Sequence, residues 1–313
     1  MREPSVVPFV SQISAKSRLA WLNHLRNVLP RLRIEPFGPQ HDYMDTEVAI
    51  VANPDPEQLQ NMPNLKWVQS LWAGVENLVH TLPDEVAVVR MTDPQLAKTM
   101  AEAVLTMTLY LHRDLPKYAE QQLDAVWEQH TLTLPEDRIV GILGLGALGR
   151  AACGTLSLNG FDVLGWSRSL RSIPDVRCYF GDDGLAELLS IADIVVILLP
   201  LTNETKGLLD KSRLSQMKRG ASVINFGRAQ IADEKALLDA LQSRQLQHAV
   251  LDVFETEPIP TNDPLWRNKN VTILPHIAAP TNMATASRIA VKNISTFLET
   301  GRLPQSVDRA KGY

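Results

Sequence analysis

The chain has 313 residues, 45% of them hydrophobic and 21% charged, with a net charge of −4 at pH 7. That is the profile of a soluble globular protein with room for two domains, and it excludes the disordered and fibrous classes. The acidic balance speaks against a nucleic-acid binder and offers no attraction to an anionic membrane surface. Cys153 and Cys178 are too few for a disulfide framework and lack the close spacing of a metal site; Cys153 falls in a helical stretch, where a buried structural thiol is the plainer reading. The opening MREPSVVPFV holds no apolar stretch long enough for a signal peptide, and the most apolar run, 194–200, is far too short to span a bilayer. A reducing cytoplasm is the expected setting.

The first hundred residues mix short apolar runs (48–51, 67–71, 86–89) with turn-forming Pro, Asn and Asp. They read as a small α/β unit whose strand order stays open. A helix-favouring stretch follows over 98–111, rich in Ala, Leu and Met. From Arg138 the pattern becomes regular. Strands are predicted at 139–143, 162–166, 194–198, 222–225, 248–251 and 271–274, with helices between them, for example 147–158 and 233–242. Apolar strands unbroken by polar residues and separated by helices predict a doubly wound parallel sheet covered on both faces. A last amphipathic helix, 281–300, follows, and in a two-domain plan it returns to the N-terminal unit.

In an open parallel sheet ligands bind beyond the carboxyl ends of the strands. The first regular strand runs into Gly144-Leu145-Gly146-Ala147-Leu148-Gly149 and then a helix. Gly144 permits the tight turn, Gly146 lets the backbone approach a pyrophosphate, and Gly149 allows close helix–strand packing. A dinucleotide is expected here. The second strand ends in Ser167-Arg168-Ser169, without the carboxylate that usually accepts from an NAD ribose. A lone arginine is ordinarily a solvated charge, but hydroxyls and a guanidinium suit a 2′-phosphate, with Arg171 near enough to assist. NADP is therefore preferred and NAD less favoured. Leu199, Pro200, Thr202 and Thr205 follow the third strand, where an apolar Pro can flank an adenine and a Thr can bond a phosphate.

The fourth strand leads to Phe226-Gly227-Arg228, the fifth to Asp252 and Glu257, the sixth to His276 and Ala278. Each has a dull explanation alone. Together a cation, carboxylates and an imidazole follow successive strands of one sheet. Hydride transfer to a ketone leaves charge growing on its oxygen, and His276 can donate a proton there as general acid. Glu257 favours the imidazolium and orients the ring. Arg228 can bind a substrate carboxylate and polarise the ketone. Asp252 is better placed to bond the nicotinamide amide than to move protons. No metal is needed, and the other histidines lack ligand spacing.

With VGILGLGALGR, LLPLTNETKGLL, INFGRAQIADEKAL, LDVFETEP and ILPHIA in order along it, the chain resembles the D-isomer-specific 2-hydroxyacid dehydrogenase family over nearly its whole length. The resemblance implies a Rossmann-type cofactor domain (99–281) inserted into a smaller flavodoxin-like α/β substrate domain (1–98 with 282–313). It carries the family's catalytic Arg, Glu and His onto Arg228, Glu257 and His276. The Trp166-Ser167-Arg168 turn and the ending VDRAKGY resemble members that use NADPH and reduce glyoxylate and hydroxypyruvate. Trp72-Ala73-Gly74-Val75 resembles the loop whose amides hold the substrate carboxylate.

There are departures from the family pattern. Trp72 stands where Gly is frequent and Glu76 where Asp is usual; the indole is expected to fill pocket space and favour a small substrate. Arg228 sits in Phe-Gly-Arg-Ala rather than Ala-Arg-Gly. A homodimer is implied, with the 98–111 helix contributing, although an apolar helix can equally pack inside one subunit. The rival readings are a same-fold reductase of a larger 2-keto acid and a non-catalytic dinucleotide-sensing, corepressor-like protein.

Overall fold

A computed structural model of the protein describes residues 6–309. It divides into two compact units, one made of residues up to Gln95 together with those from Thr281 onward, the other of Leu96–Pro280.

The first unit contains β1 (Val7–Ser11), α1 (Ala15–Val28), β2 (Ile34–Pro36), β3 (Val48–Ala52), α2 (Pro56–Leu59), β4 (Trp67–Ser70), α3 (Glu76–Thr81) and β5 (Ala87–Val89). The strands are all parallel, in the order β2-β1-β3-β4-β5, which is the flavodoxin-like arrangement. β3 and β4 are buried at every residue, as a sheet covered on both faces requires. The C-terminal helix, Met283–Thr300, belongs here. It starts where Asn282 accepts from the amides of Ala284 and Thr285, and it buries Ala286, Ala290, Val291, Ile294 and Phe297 beside Trp21 and Trp67. Its tail is anchored too: Arg309 donates to the carbonyls of Val79, Leu82, Pro83 and Val86. Residues 310–313 of the VDRAKGY ending lie outside the described residues.

α4 (Pro94–His112) leads into the second unit and buries Met100, Val104 and Leu111 in that unit's core. There follow α5 (Leu115–Leu123), β6 (Ile139–Leu143), α6 (Ala147–Leu158), β7 (Asp162–Ser167), β8 (Arg177–Phe180), α7 (Gly181–Ile191), β9 (Ile194–Ile197), α8 (Lys211–Gln216), β10 (Ala221–Asn225), α9 (Glu234–Gln242), β11 (Leu246–Leu251) and β12 (Val271–Ile273). Seven parallel strands stand in the order β12-β11-β10-β9-β6-β7-β8. The chain winds one way from β6 through β7 to β8 and the other way from β9 onward, so the topological switch point lies at the carboxyl ends of β6 and β9.

Alternate residues of each strand face opposite sides. Val195 and Ile197 join Leu185, Leu188 and Leu189 of α7, while Ile194 and Val196 join Met100, Val104, Ala152 and Leu156 of α4 and α6. Both faces are covered, hence the unbroken apolar runs in the sequence. Each fully buried aliphatic side chain stabilises by about 1.5–3 kcal/mol.

His248 on β11 is buried, with Nε2 on the Thr272 hydroxyl at 2.8 Å. Burial lowers its pKa to about 4. Its folded state therefore resists a proton that the unfolded chain takes up near pH 6.5, so stability falls as pH drops from about 6.5 towards 4. The His248→Gln variant is expected to lose about 3 kcal/mol less than wild type between pH 7 and pH 4. Urea denaturation at the two pH values measures this, and equal losses in both proteins would refute it.

Candidate active site

The turn after β6 is built by its glycines. Gly144 has φ +108°, a conformation that L side chains rarely adopt. A Cβ on Gly149 would lie 1.8 Å from the Gly144 carbonyl oxygen, so α6 can begin this close to β6 only with glycine there. Gly146 is different. A Cβ at that position meets nothing within 4 Å, so no protein atom requires the glycine. Gly146 and Ala147 are exposed, Leu148 is half-buried, and no side chain caps the α6 N-terminus. An uncapped first turn beside open space is suited to an anion. These features fit the pyrophosphate of a dinucleotide.

On one side of that turn, β7 delivers Ser167, Arg168 and Ser169. The Ser167 hydroxyl donates to the Ser169 carbonyl at 2.8 Å, and Arg168 pairs with Glu204. Arg171 is exposed. On the other side, beyond β9, Leu199 is buried and Pro200 half-buried. Thr205 holds the turn after β9. It is buried, and its hydroxyl donates to the Pro200 carbonyl at 2.6 Å and accepts from the Thr202 amide at 2.8 Å.

The next three strands carry the reactive groups. Beyond β10 the Asn225 side chain, absent from the residues predicted, holds the loop: Oδ1 accepts from the Gly227 amide at 3.1 Å, and Nδ2 donates to the Arg228 carbonyl at 3.0 Å. Phe226 and Gly227 are buried, which leaves Arg228 half-exposed at the strand mouth with Nη1 on the Gly227 carbonyl at 2.8 Å. The unusual Phe-Gly-Arg-Ala run therefore keeps an ordered turn. Beyond β11 and β12, Glu257 Oε2 lies 2.8 Å from His276 Nδ1, and Glu257 Oε1 accepts from the Phe254 amide at 2.9 Å. His276 has φ +54°, a left-handed conformation uncommon for a bulky residue, and its side chain is 54% exposed. With Nδ1 on the carboxylate, Nε2 is the nitrogen left for another partner.

Asp252 follows the end of β11. It is 2% exposed, and its two oxygens accept from the Ile277 amide at 2.7 Å and the Ala278 amide at 2.9 Å. Burial pushes its carboxyl above the usual range, while the two amides act the other way. It clamps the loop that carries His276 and leaves Ala278 buried.

In the first unit, Trp72-Ala73-Gly74-Val75 follows the carboxyl end of β4, with Val75 capping α3. The Trp72 indole is held by partners of its own unit. Its Nε1 donates to Asn53 Oδ1 at 2.9 Å, its ring stands edge-on to Trp21 at 5.8 Å, and it packs on that unit's own core. Asn53, itself at φ +48°, is a second determinant that the sequence reading missed.

Comparison with known proteins agrees with this construction. Residues 105–278 match the family model described as D-isomer specific 2-hydroxyacid dehydrogenase, NAD binding domain. The chain is 36% identical to glyoxylate/hydroxypyruvate reductase A of Serratia proteamaculans, over 94% of this chain and 96% of that one. It superposes with TM-score 0.92 and 36% identity on a D-isomer specific 2-hydroxyacid dehydrogenase from Xanthobacter autotrophicus Py2 in complex with NADPH and MES, covering 99% and 100% of the two chains. With TM-score 0.91 and 31% identity, and the same coverage, it matches an NADPH-dependent glyoxylate/hydroxypyruvate reductase from Sinorhizobium meliloti in complex with NADP and sulfate. With the family model matched over more than half of the chain and relatives this similar along nearly its whole length, the protein belongs to the D-isomer specific 2-hydroxyacid dehydrogenase family.

Proposed function

We propose that this protein is an NADPH-dependent reductase of small 2-keto acids, converting glyoxylate to glycolate and hydroxypyruvate to D-glycerate. The observation that carries the reading is the Glu257–His276 contact at 2.8 Å, which orients an imidazole for proton donation at a strand end of the cofactor-type sheet. The relatives named for this activity, and the neighbours holding NADPH or NADP, support the choice of substrate and cofactor.

In this reading the second unit binds the dinucleotide and the first binds substrate. The amides of the α6 first turn take the pyrophosphate, and Ser167, Arg168 and Ser169 take the 2′-phosphate. Leu199, Pro200, Phe226 and Gly227 line the cofactor site. Bound NADPH supplies the hydride. Arg228 holds the substrate carboxylate and polarises the ketone, and in the first unit the amides of Ala73, Gly74 and Val75 are suited to an anionic substrate group. His276, protonated and held by Glu257, gives its Nε2 proton to the oxygen as the carbonyl carbon is reduced. Asp252 keeps the His276 loop in place.

The chain is proposed to work as a homodimer in the cytoplasm. α5 buries none of its residues; Leu123 at its end and Val126 and Trp127 beyond it are exposed, Trp127 by 94%. Apolar surface of this kind fits a subunit contact. Sedimentation should give twice the 34.8 kDa chain mass; a monomer at micromolar concentration would reject the dimer.

The reaction is tested by incubating hydroxypyruvate with NADPH and resolving the glycerate formed. D-Glycerate in amounts matching the NADPH consumed is expected. L-Glycerate, or no product from either acid, would overturn the assignment.

A further inference from the structure

In the sheet of the second unit, β6 stands between β9 and β7. Arg168 comes from the β7 side and Glu204 from the β9 side, and their side chains form an ion pair. The pair joins the two loops that flank the glycine turn. Glu204 is carried on a rigid support. The Thr205 hydroxyl bonds the Pro200 carbonyl, and the Thr205 and Lys206 amides both donate to the Thr202 carbonyl, at 3.1 and 2.9 Å. The Glu204 side chain is 63% exposed and that of Arg168 37%, so both are open to exchange of partners.

We propose that Glu204 is a specificity-determining residue: it holds a counter-charge on Arg168, and a dinucleotide bearing a 2′-phosphate binds by taking Arg168 from it. Glu204 thereby lowers the preference for NADPH over NADH below what Arg168 alone would give. This rests on Arg168 being the phosphate-binding group. An exposed ion pair is weak and exchanges readily, but a phosphate arriving beside a carboxylate meets like charge. NADH presents a hydroxyl at that position. It has no charge with which to compete for Arg168, and a carboxylate can accept its hydrogen bond.

The test is the dissociation constant of NADPH and of NADH, by titration calorimetry, for wild type, Glu204→Gln, Arg168→Gln and the double variant. Glu204→Gln is expected to tighten NADPH binding about three- to tenfold, with NADH unchanged within about twofold or weaker. In the Arg168→Gln background the same substitution should give less than half of that gain. Weaker or unchanged NADPH binding in Glu204→Gln, or an equal change for both dinucleotides, would overturn the proposal. The underlying reading has its own outcome: if Arg168→Gln leaves the ratio of the two constants as in wild type, the phosphate site is elsewhere, and the role of Glu204 falls with it.

Discussion

Replacing His276 by Asn is expected to lower kcat for glyoxylate reduction by about 10²–10⁴-fold, the range that a positioned general acid contributes. NADPH binding should stay within about threefold of wild type, because the pyrophosphate is assigned to the α6 turn, well away in sequence from the β12 loop. An Asn amide can still donate to Glu257 Oε2, which keeps the loop in place while removing the titratable proton. The geometry makes the loss specific. The His276 backbone is held in a left-handed conformation, and the two following amides are clamped by buried Asp252. Another donor cannot simply swing into that position. Steady-state rates at saturating NADPH measure the effect, and a drop of less than about tenfold would mean that proton donation comes from elsewhere.

The second expected result concerns Arg228. Arg228→Ala should reduce kcat/KM for glyoxylate by about 10³-fold or more, since it removes both the charge on the substrate carboxylate and the polarisation of the ketone. Arg228→Lys should recover only a part, because an ammonium cannot reproduce the planar fork. NADPH binding should largely survive in both. The loop should persist without the guanidinium, because Asn225 bonds the Gly227 amide and the Arg228 carbonyl rather than the side chain. The same pair of measurements separates an enzyme from a dinucleotide sensor. A sensor would bind NADPH and turn over no keto acid even as wild type, so Arg228→Ala would change nothing.

Much of this was legible in the sequence. The strands of the second sheet and the helix after the glycine turn fell close to their predicted places, because buried parallel strands leave unbroken apolar runs and helices leave amphipathic ones. What escaped was weakly patterned. β2 ends in Pro36 and has three residues, and β8 is an edge strand carrying Arg177 and exposed Phe180. α1 went unassigned although Trp21, Leu22 and Leu25 form its buried stripe. The order β2-β1-β3-β4-β5 depends on crossovers that no local pattern encodes.

At the site, the sequence named residue types at strand ends but not who touches whom. Asp252 and Thr205 are the polar residues expected at a ligand, and the sequence did not show that each is also buried on main-chain partners. The size of Trp72 was legible, but not its partners Asn53 and Trp21. Glu204 and Asn225 lay inside the quoted stretches LLPLTNETKGLL and INFGRAQIADEKAL, yet only coordinates give them Arg168 and the Arg228 loop as partners. Contacts between distant positions are what a single sequence withholds.

The most direct measurement is the initial rate of NADPH and of NADH oxidation by the wild-type protein, with glyoxylate, hydroxypyruvate and phenylpyruvate offered separately. The account predicts rapid oxidation of NADPH with the two small acids, slower oxidation of NADH, and little turnover of phenylpyruvate. Binding of NADPH without oxidation by any of the three acids, or a clear preference for NADH and phenylpyruvate, would contradict it.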